Sequence, residues 1–186
     1  MTHLGKIVIT PRGVELNSQV YPTSQIGDAL LTACYRSCHA DYPKFFKMDP
    51  LCRLGFIASE LLLQSQDEER FIPREDRAVV LASCNGCLHT DRHYASTIHA
   101  GDNYFPSPAV FVYTLPNIVT GEIAIRNKYL GESSMYIVED GLTEEELVQR
   151  LAELTFQDPV TTSAIIGWVD YHDGDHYNAI LYLIQK

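Results

Sequence analysis

The sequence predicts an α/β domain, and three observations lead to that fold class. Five short apolar or β-branched runs alternate with stretches of helical character, the pattern of strands joined by crossover helices. The run over 78–82 is continuously apolar, as expected of a parallel strand that is buried on both faces. Asp173-Gly174 is a turn signal before the last strand, so the final two strands should form an antiparallel hairpin.

The first third of the chain opens on a strand and continues into two helices. Residues 6–10 form a β-branched run that a proline and a glycine end. Apolar and polar residues alternate only weakly over 14–21, so this stretch is either a second arm of the sheet or an irregular segment. A Thr or Ser cap near residue 23 favours a helix to about residue 38. A wide apolar stripe along 48–64 predicts a deeply buried helix.

The charged segment 66–77 contains a proline, so we interpret it as a surface link. Thr143 and Glu146 form a capping-box pattern, which predicts a helix start. The other predicted elements are a turn at 84–87, a polar helix over 90–99, a loop over 101–108, a helix over 110–129 with Pro116 as a kink or start point, and strands over 134–138, 162–169 and 177–184.

Composition limits the classes of partner and compartment. The 186 residues, 46% of them hydrophobic, suffice for one domain, which we assign to 1–186. The formal charge is −10 and no run of Lys or Arg occurs, which argues against nucleic acid and anionic membranes as partners. No apolar stretch approaches a membrane span of about 18 residues. The odd count of five cysteines favours a reducing compartment, so we expect a cytoplasmic protein.

Several stretches of this chain resemble the β-ketoacyl synthases. Residues 48–58 read MDPLCRLGFIA, similar to a Met-Asp and Arg-Leu helix of that family. Residues 77–90 are similar to the strand and glycine-bearing turn near the dimer axis of the family. The most specific match lies within 105–131, where FPSP leads into a Leu-Pro-Asn, a GEIAIR run and a Leu-Gly in family order. A weaker likeness continues into 165–170.

The resemblance covers nearly the whole chain and about the N-terminal half of a full synthase. It implies a thiolase-like half, with a five-stranded mixed sheet and helices on both faces. It also implies that the two catalytic histidines of the family belong to a C-terminal half beyond this chain.

The nucleophile of that family is a cysteine on a sharp turn into a helix, and this chain has an acidic residue there. Counting from Gly131 places the position at Asp140, with Glu139 as the fallback, and no cysteine follows Cys87. Condensation needs a thiolate that accepts the acyl chain as a thioester. We therefore expect no catalytic residue of the synthase type and no condensation by this chain alone. We interpret the glutamates at 144–146 as a solvated helix end.

The Cys84-Asn85-Gly86-Cys87 segment leaves three interpretations open. It is a structural turn, a metal site completed by His89 and His93, or a redox pair. The structural turn is favoured because the interval from Cys87 to His89 is very short for a zinc finger. We expect no cofactor.

Four aromatic residues close to each other in the sequence are a further candidate site. Core or interface packing is the simpler interpretation of these residues, and a pocket for an acyl chain is the more specific one. The four residues are Tyr104, Phe105, Phe111 and Tyr113.

The leading functional hypothesis is a non-catalytic, chain-length-factor-like subunit in fatty-acid or polyketide-type synthesis. By resemblance, the strand before the lost nucleophile pairs across a dimer axis with a ketosynthase-like subunit or a second copy. Direct binding of an acidic acyl carrier protein is unfavourable at a charge of −10. The alternatives are a diverged acyl-thioester-processing enzyme with Asp140 or Glu139 as a base, and a metal or redox module at Cys84 and Cys87. The expected interface residues are Ser134, Met135, Tyr136, Ile137 and Val138.

Overall fold

A computed structural model describes residues 1–98, 106–139 and 141–186. Strands and helices alternate through the middle of the chain, as the hydrophobic pattern predicts. The elements are β1 (Thr2–Thr10), β2 (Gly13–Leu16), β3 (Gln19–Tyr21), α1 (Asp28–Ser37), a 3₁₀ helix (Pro43–Lys47), α2 (Pro50–Gln64), β4 (Arg77–Ser83), α3 (Leu88–Ile98), α4 (Pro108–Val112), α5 (Ile118–Asn127), β5 (Ser133–Ile137), α6 (Glu144–Thr155), β6 (Ser163–Asp173) and β7 (His176–Gln185).

All the described strands belong to one mixed sheet, in the order β3-β2-β1-β7-β6-β4-β5. Strand β4 is parallel to both β5 and β6, whereas β6–β7 and β7–β1 are antiparallel. The predicted final hairpin is confirmed. The expectation of five strands is wrong, because the sheet has seven.

The two additional strands come from residues 14–21, for which the sequence left a second arm open. Strands β1 and β2 pair antiparallel, and β2 pairs with β3 across a two-residue turn. Asn17 and Ser18 at that turn have φ values of 52° and 64°, the left-handed conformation of a tight hairpin. Such short strands carry a weak sequence signal, because the neighbouring strand β1 supplies most of their stability.

The sheet separates two hydrophobic layers, so helices lie on both faces as expected. Alternate residues of each strand point to opposite faces. On one face, Val79, Leu81 and Ile165 pack with α1, α2 and α5. On the other face, Val80 and Ile166 pack against the apolar side of α6. The prediction of a deeply buried helix is confirmed, since most of α2 is buried.

The predicted helix over 110–129 is two helices in the structure. Ser107 caps helix α4, which ends at Val112, and α5 begins at Ile118. Pro116 lies between them, since proline has no N–H for a helical hydrogen bond and its ring clashes with the preceding turn. The break turns α5 so that it packs against α2 and β5.

The charged segment 66–77 is anchored by buried ion pairs, which the interpretation as a surface link missed. Arg70 donates a 2.6 Å bond to Glu60, whose side chain is fully buried on α2. Arg126 of α5 reaches the same carboxylate at 3.2 Å. The buried Arg77 pairs with Glu68, so charged side chains hold this segment to the core.

None of the helices among the described residues is long and apolar enough to cross a membrane.

Candidate functional site at the carboxyl ends of the parallel strands

The carboxyl ends of β4, β5 and β6 meet at one edge of the sheet, because these three strands are parallel. The 84–87 turn follows β4, and residues 138–143 follow β5. Ligands of parallel α/β sheets bind at this type of edge. Glu139, the fallback position for the family nucleophile, follows β5 at this edge.

Asp170 organises the turn after β4. Its carboxylate accepts hydrogen bonds from the Ser83 hydroxyl and from the Asn85 backbone N–H, the latter at 3.0 Å. The Asn85 side-chain amide donates to the other carboxylate oxygen at 2.7 Å. The Gly86 N–H donates to Ser83 Oγ at 2.7 Å, so the turn is held from both sides. This network favours the structural interpretation of residues 84–87.

Cys87 and His89 have separate protein partners. The thiol of Cys87 donates to the Thr114 carbonyl at 2.7 Å. Burial, followed by the negative charge of Asp91, raises the pKa of Cys87 to about 12, so the thiol stays protonated at neutral pH. Nδ1 of His89 lies 3.0 Å from the carbonyl oxygen of His172. Within the described ranges, no group of three or more His, Cys, Asp or Glu residues is arranged to hold a metal ion.

An open cleft of about 560 Å³ lies beside this turn, on the face of the sheet that α6 covers. Trp168 and Ile180 are cross-strand neighbours at its base, and Val8 continues the same row on β1. The indole N–H of Trp168 donates to Asn178 at 3.1 Å. The cleft is lined by Cys84, Asn85, Leu142, Glu144, Leu147, Val148, Trp168, Asp170, Asn178 and Ile180.

Glu144 fixes the start of α6 to the sheet, so it is more than the solvated helix end that the sequence suggested. Its carboxylate accepts a 2.6 Å ion pair from Lys6 and a hydrogen bond from the Tyr182 hydroxyl. Burial alone would raise the pKa of Glu144, but the bonds from Lys6 and Tyr182 outweigh burial and lower it. The negatively charged carboxylate of Glu144 therefore fixes the α6 wall of the cleft to the sheet.

The predicted capping box is confirmed. The Glu146 N–H donates to the Thr143 hydroxyl at 3.2 Å, and the Thr143 N–H donates to the Glu146 carboxylate at 3.0 Å. Three glutamates occupy the first turn of α6, where negative charge stabilises the helix dipole. Glu139 is exposed, and Asp140 lies outside the described residues.

Strand β5 lies at the end of the sheet, and it contains most of the predicted dimer interface. Its outer edge has no neighbouring strand among the described residues. Tyr136 and Ile137 are large side chains with 39% and 56% of their surface exposed. An open edge with apolar side chains is suited to pairing with another chain.

The two described residues of the predicted aromatic cluster lie in different surroundings. Phe111 is exposed and its ring packs near Tyr94, with 5.4 Å between the ring centroids. Tyr113 is buried and lines a different cleft, near the start of α2. Tyr104 and Phe105 lie outside the described residues.

Sequence reasoning missed three residues of this site, namely Trp168, Asp170 and Asn178. The only available signal was the alternation of polar and apolar residues near the ends of the last two strands, which places them on one face. Asp170 and Asn85 are 85 positions apart, so no local pattern predicts their hydrogen bonds.

Solved structures provide the comparison with known proteins. One match is to the structure described as the ishigamide ketosynthase/chain length factor, at 16% identity and a TM-score of 0.68, covering 99% of this chain and 61% of that one. A second is the ketosynthase ApeO in complex with its chain length factor ApeC from Xenorhabdus doucetiae, at 15% identity and 0.59, covering 100% and 79%. A third is the complex AntDE:AntF, a type II polyketide synthase acyl-carrier protein with its ketosynthase bound to the hexaketide, at 12% identity and 0.68, covering 99% and 62%.

No family model and no curated protein sequence matches the chain. The structural likeness therefore establishes the fold, which is the thiolase-like α/β fold. Among solved structures, this fold is shared with ketosynthases and chain length factors. The chain spans about 61% of the length of the first of these matched chains.

Proposed function

We propose that this chain is a non-catalytic, chain-length-factor-like subunit that binds a ketosynthase in type II polyketide or fatty-acid synthesis, in the cytoplasm. The observation that carries the proposal is the open β5 edge on a fold shared with ketosynthase and chain length factor complexes. One of the matched structures is a ketosynthase in complex with its chain length factor.

The chemistry of the carboxyl edge supports a non-catalytic role. No cysteine follows Cys87 in the sequence, and by resemblance the nucleophile position falls on Asp140 or Glu139. A carboxylate does not readily form the acyl-enzyme that condensation requires. The three glutamates at the start of α6 would also raise the energy of a thiolate or an oxyanion beside that helix.

The partner surface that we propose is the outer edge of β5, over 134–138, with its flanking side chains. Gly86 lies close to the side chains of both Ile137 and Pro116, so β5 is continuous with the turns after β4 and α4. The partner is a ketosynthase-like subunit, and a second copy of this chain is the alternative. Acyl carrier protein alone should bind weakly, because both chains would be acidic.

The test is co-expression of the full chain with each ketosynthase encoded in the same genome, followed by light scattering of the purified species. We expect a stable complex with one of them. In that complex, Ile137→Lys should weaken binding at least tenfold, because a buried lysine at a paired strand edge has no counter-charge.

The matched control is Val20→Lys on β3, at the opposite end of the sheet, where Val20 is 86% exposed. This variant should bind like the unchanged chain. Failure to bind any of the ketosynthases, or equal effects of the two lysine variants, would refute the proposed interface. Turnover of acyl-thioesters by the isolated chain would favour the enzyme hypothesis instead.

A further inference from the structure

The turn after β4 contains the one Asn-Gly pair of the sequence, Asn85-Gly86. The other five asparagines are followed by Ser, Tyr, Ile, Lys or Ala, all of which carry a Cβ atom. Glycine has no Cβ, so its backbone nitrogen can approach the preceding side chain more closely than that of any other residue. In this chain, the side-chain amide of Asn85 is therefore the one most open to attack by the next backbone nitrogen.

Deamidation is the reaction that such a pair permits, and asparagine is among the thermolabile residues of proteins. The bond from the Gly86 nitrogen to Cγ of Asn85 forms, and the bond from Cγ to Nδ2 breaks. The proton of the Gly86 nitrogen leaves with Nδ2 as ammonia, and a five-membered succinimide remains. Water then adds to one of the two ring carbonyls and opens the ring to an aspartate or an isoaspartate residue. Water is the co-reactant, and nothing is oxidised or reduced.

The fold needs the glycine that makes this pair reactive. Gly86 has a φ of 53°, in the left-handed region that favours glycine. A Cβ atom added at Gly86 would come 3.0 Å from Cδ1 of Ile137. Asn85 itself is exposed, so water reaches its side chain. The turn therefore keeps a labile pair at a position where solvent can complete the reaction.

The same turn holds both reacting groups in hydrogen bonds. The side-chain amide of Asn85 donates to Asp170 at 2.7 Å, and the Gly86 N–H donates to Ser83 Oγ at 2.7 Å. Ring closure removes both donors, because Gly86 loses its N–H proton and Asn85 loses its side-chain nitrogen. Both hydrogen bonds must therefore break before the succinimide can form.

The reaction thus proceeds from a locally opened turn, and its rate follows the population of that open state. A hydrogen bond to a charged acceptor such as Asp170 is stronger than one between neutral groups. We expect the closed turn to slow ring closure at least about tenfold, which corresponds to about 1.4 kcal/mol.

We propose that Asn85 is the site at which this chain deamidates, and that Asp170 and Ser83 set the rate by holding the turn closed. The product has a carboxylate where the amide donated, so two like charges face each other across the turn. Asn85 and Asp170 both line the cleft of about 560 Å³, so the modification adds negative charge to that cleft. The site lies within this chain and does not depend on a ketosynthase partner.

The first test follows the full chain in mildly alkaline buffer below its Tm, with mass spectrometry of its peptides at each of the six asparagines. The reference is a synthetic peptide of residues 80–90, which has the Asn-Gly pair without Asp170. Asn85 should be modified before the other asparagines, at a rate at least about tenfold below that of the peptide. Faster modification of another asparagine, or equal rates in chain and peptide, would overturn the proposal.

Two variants test the residues that hold the turn. Asp170→Ala and Ser83→Ala each remove one acceptor, and each should raise the rate at Asn85, about tenfold for Asp170→Ala. The matched control is Asp158→Ala, whose carboxylate likewise accepts a backbone N–H at 3.0 Å and a hydroxyl at 2.8 Å, in the loop before β6. This control should leave the rate at Asn85 unchanged.

Circular dichroism melting shows which variants are folded at the incubation temperature. If Asp170→Ala is unfolded there, the rate in Ser83→Ala decides the question. An unchanged rate at Asn85 in a folded variant of either residue, or an equal increase in the Asp158→Ala control, would refute the role of the turn.

The effect of the product is tested separately by comparing Asn85→Asp with Asn85→Ala. Both lose the donor to Asp170, and only Asn85→Asp adds the like charge. The Tm of Asn85→Asp should therefore be lower than that of Asn85→Ala by about 2 °C. Equal Tm values would show that the new carboxylate does not repel Asp170.

Discussion

Replacing Glu60 by glutamine should cost this protein more stability than any surface change. The carboxylate is fully buried on α2 and is 2.6 Å from Arg70 and 3.2 Å from Arg126. Glutamine keeps the volume and removes the negative charge, which leaves two largely buried guanidinium groups without a counter-charge. Breaking a buried ion pair in this way typically costs about 3–5 kcal/mol.

The expected loss for Glu60→Gln is at the lower end of that range, about 3 kcal/mol. Arg70 keeps a 2.8 Å bond to Asn127, and Arg126 keeps a 3.0 Å bond to the Asp41 carbonyl. For a chain of this length, about 3 kcal/mol corresponds to a decrease in Tm of roughly 6–12 °C. Differential scanning calorimetry measures this decrease directly.

The control for this experiment is Glu153→Gln on α6, where the exposed carboxylate accepts, from the part of the chain that the structure describes, a single side-chain bond from Gln149. This change should cost less than about 0.5 kcal/mol. If Glu60→Gln melts within about 2 °C of the unchanged chain, or no lower than the Glu153 control, the ion pairs do not anchor the 66–77 segment as argued.

Two further predictions concern single carboxylates. Asp170→Ala removes the acceptor for the Asn85 N–H, so we expect about 2 kcal/mol of destabilisation. Hydrogen exchange at the Asn85 amide, measured by NMR, should become at least tenfold faster. Unchanged protection of that amide would refute the role of Asp170 in the turn. The hydrogen bond from Arg74 and then that from Thr162 lower the pKa of Asp76 to about 2. Because its unfolded value is about 3.9, Asp76 stabilises the fold above about pH 4, and this contribution is lost as the pH falls towards 2. The difference in free energy of unfolding between the unchanged chain and Asp76→Asn, measured by urea titration, should therefore be constant from pH 7 to about 4.5 and fall towards zero near pH 2. A difference that persists near pH 2 would contradict the ion pair.

Features confined to a few consecutive residues were predictable. The capping box needs only Thr143 and Glu146, three positions apart, and the structure contains both of its hydrogen bonds. The burial of α2 and of β4 was likewise predictable, because the apolar stripe of α2 and the continuous apolar run of β4 lie within each element. Local sequence determines these elements because the hydrogen bonds and the side-chain periodicity involved lie within one element.

Features that depend on distant partners were missed or left open. Strands β2 and β3 are only four and three residues long, and they form because β1 offers an adjacent edge. The 66–77 segment looks solvated in sequence, yet Arg70 and Arg77 find carboxylates that neutralise them in the interior. The open edge of β5 follows from the order of strands in the sheet, which no single strand encodes.

The sequence by itself determined the α/β class, the positions of the main helices and the absence of any cysteine after Cys87. It did so because hydrophobic period, caps and residue identity are local properties of the chain. Only the tertiary structure decided that the sheet has seven strands, that Asp170 holds the 84–87 turn and that Tyr113 lines a cleft near the start of α2. Those outcomes depend on which surfaces the long-range packing brings together, and the chain has no local signal for them.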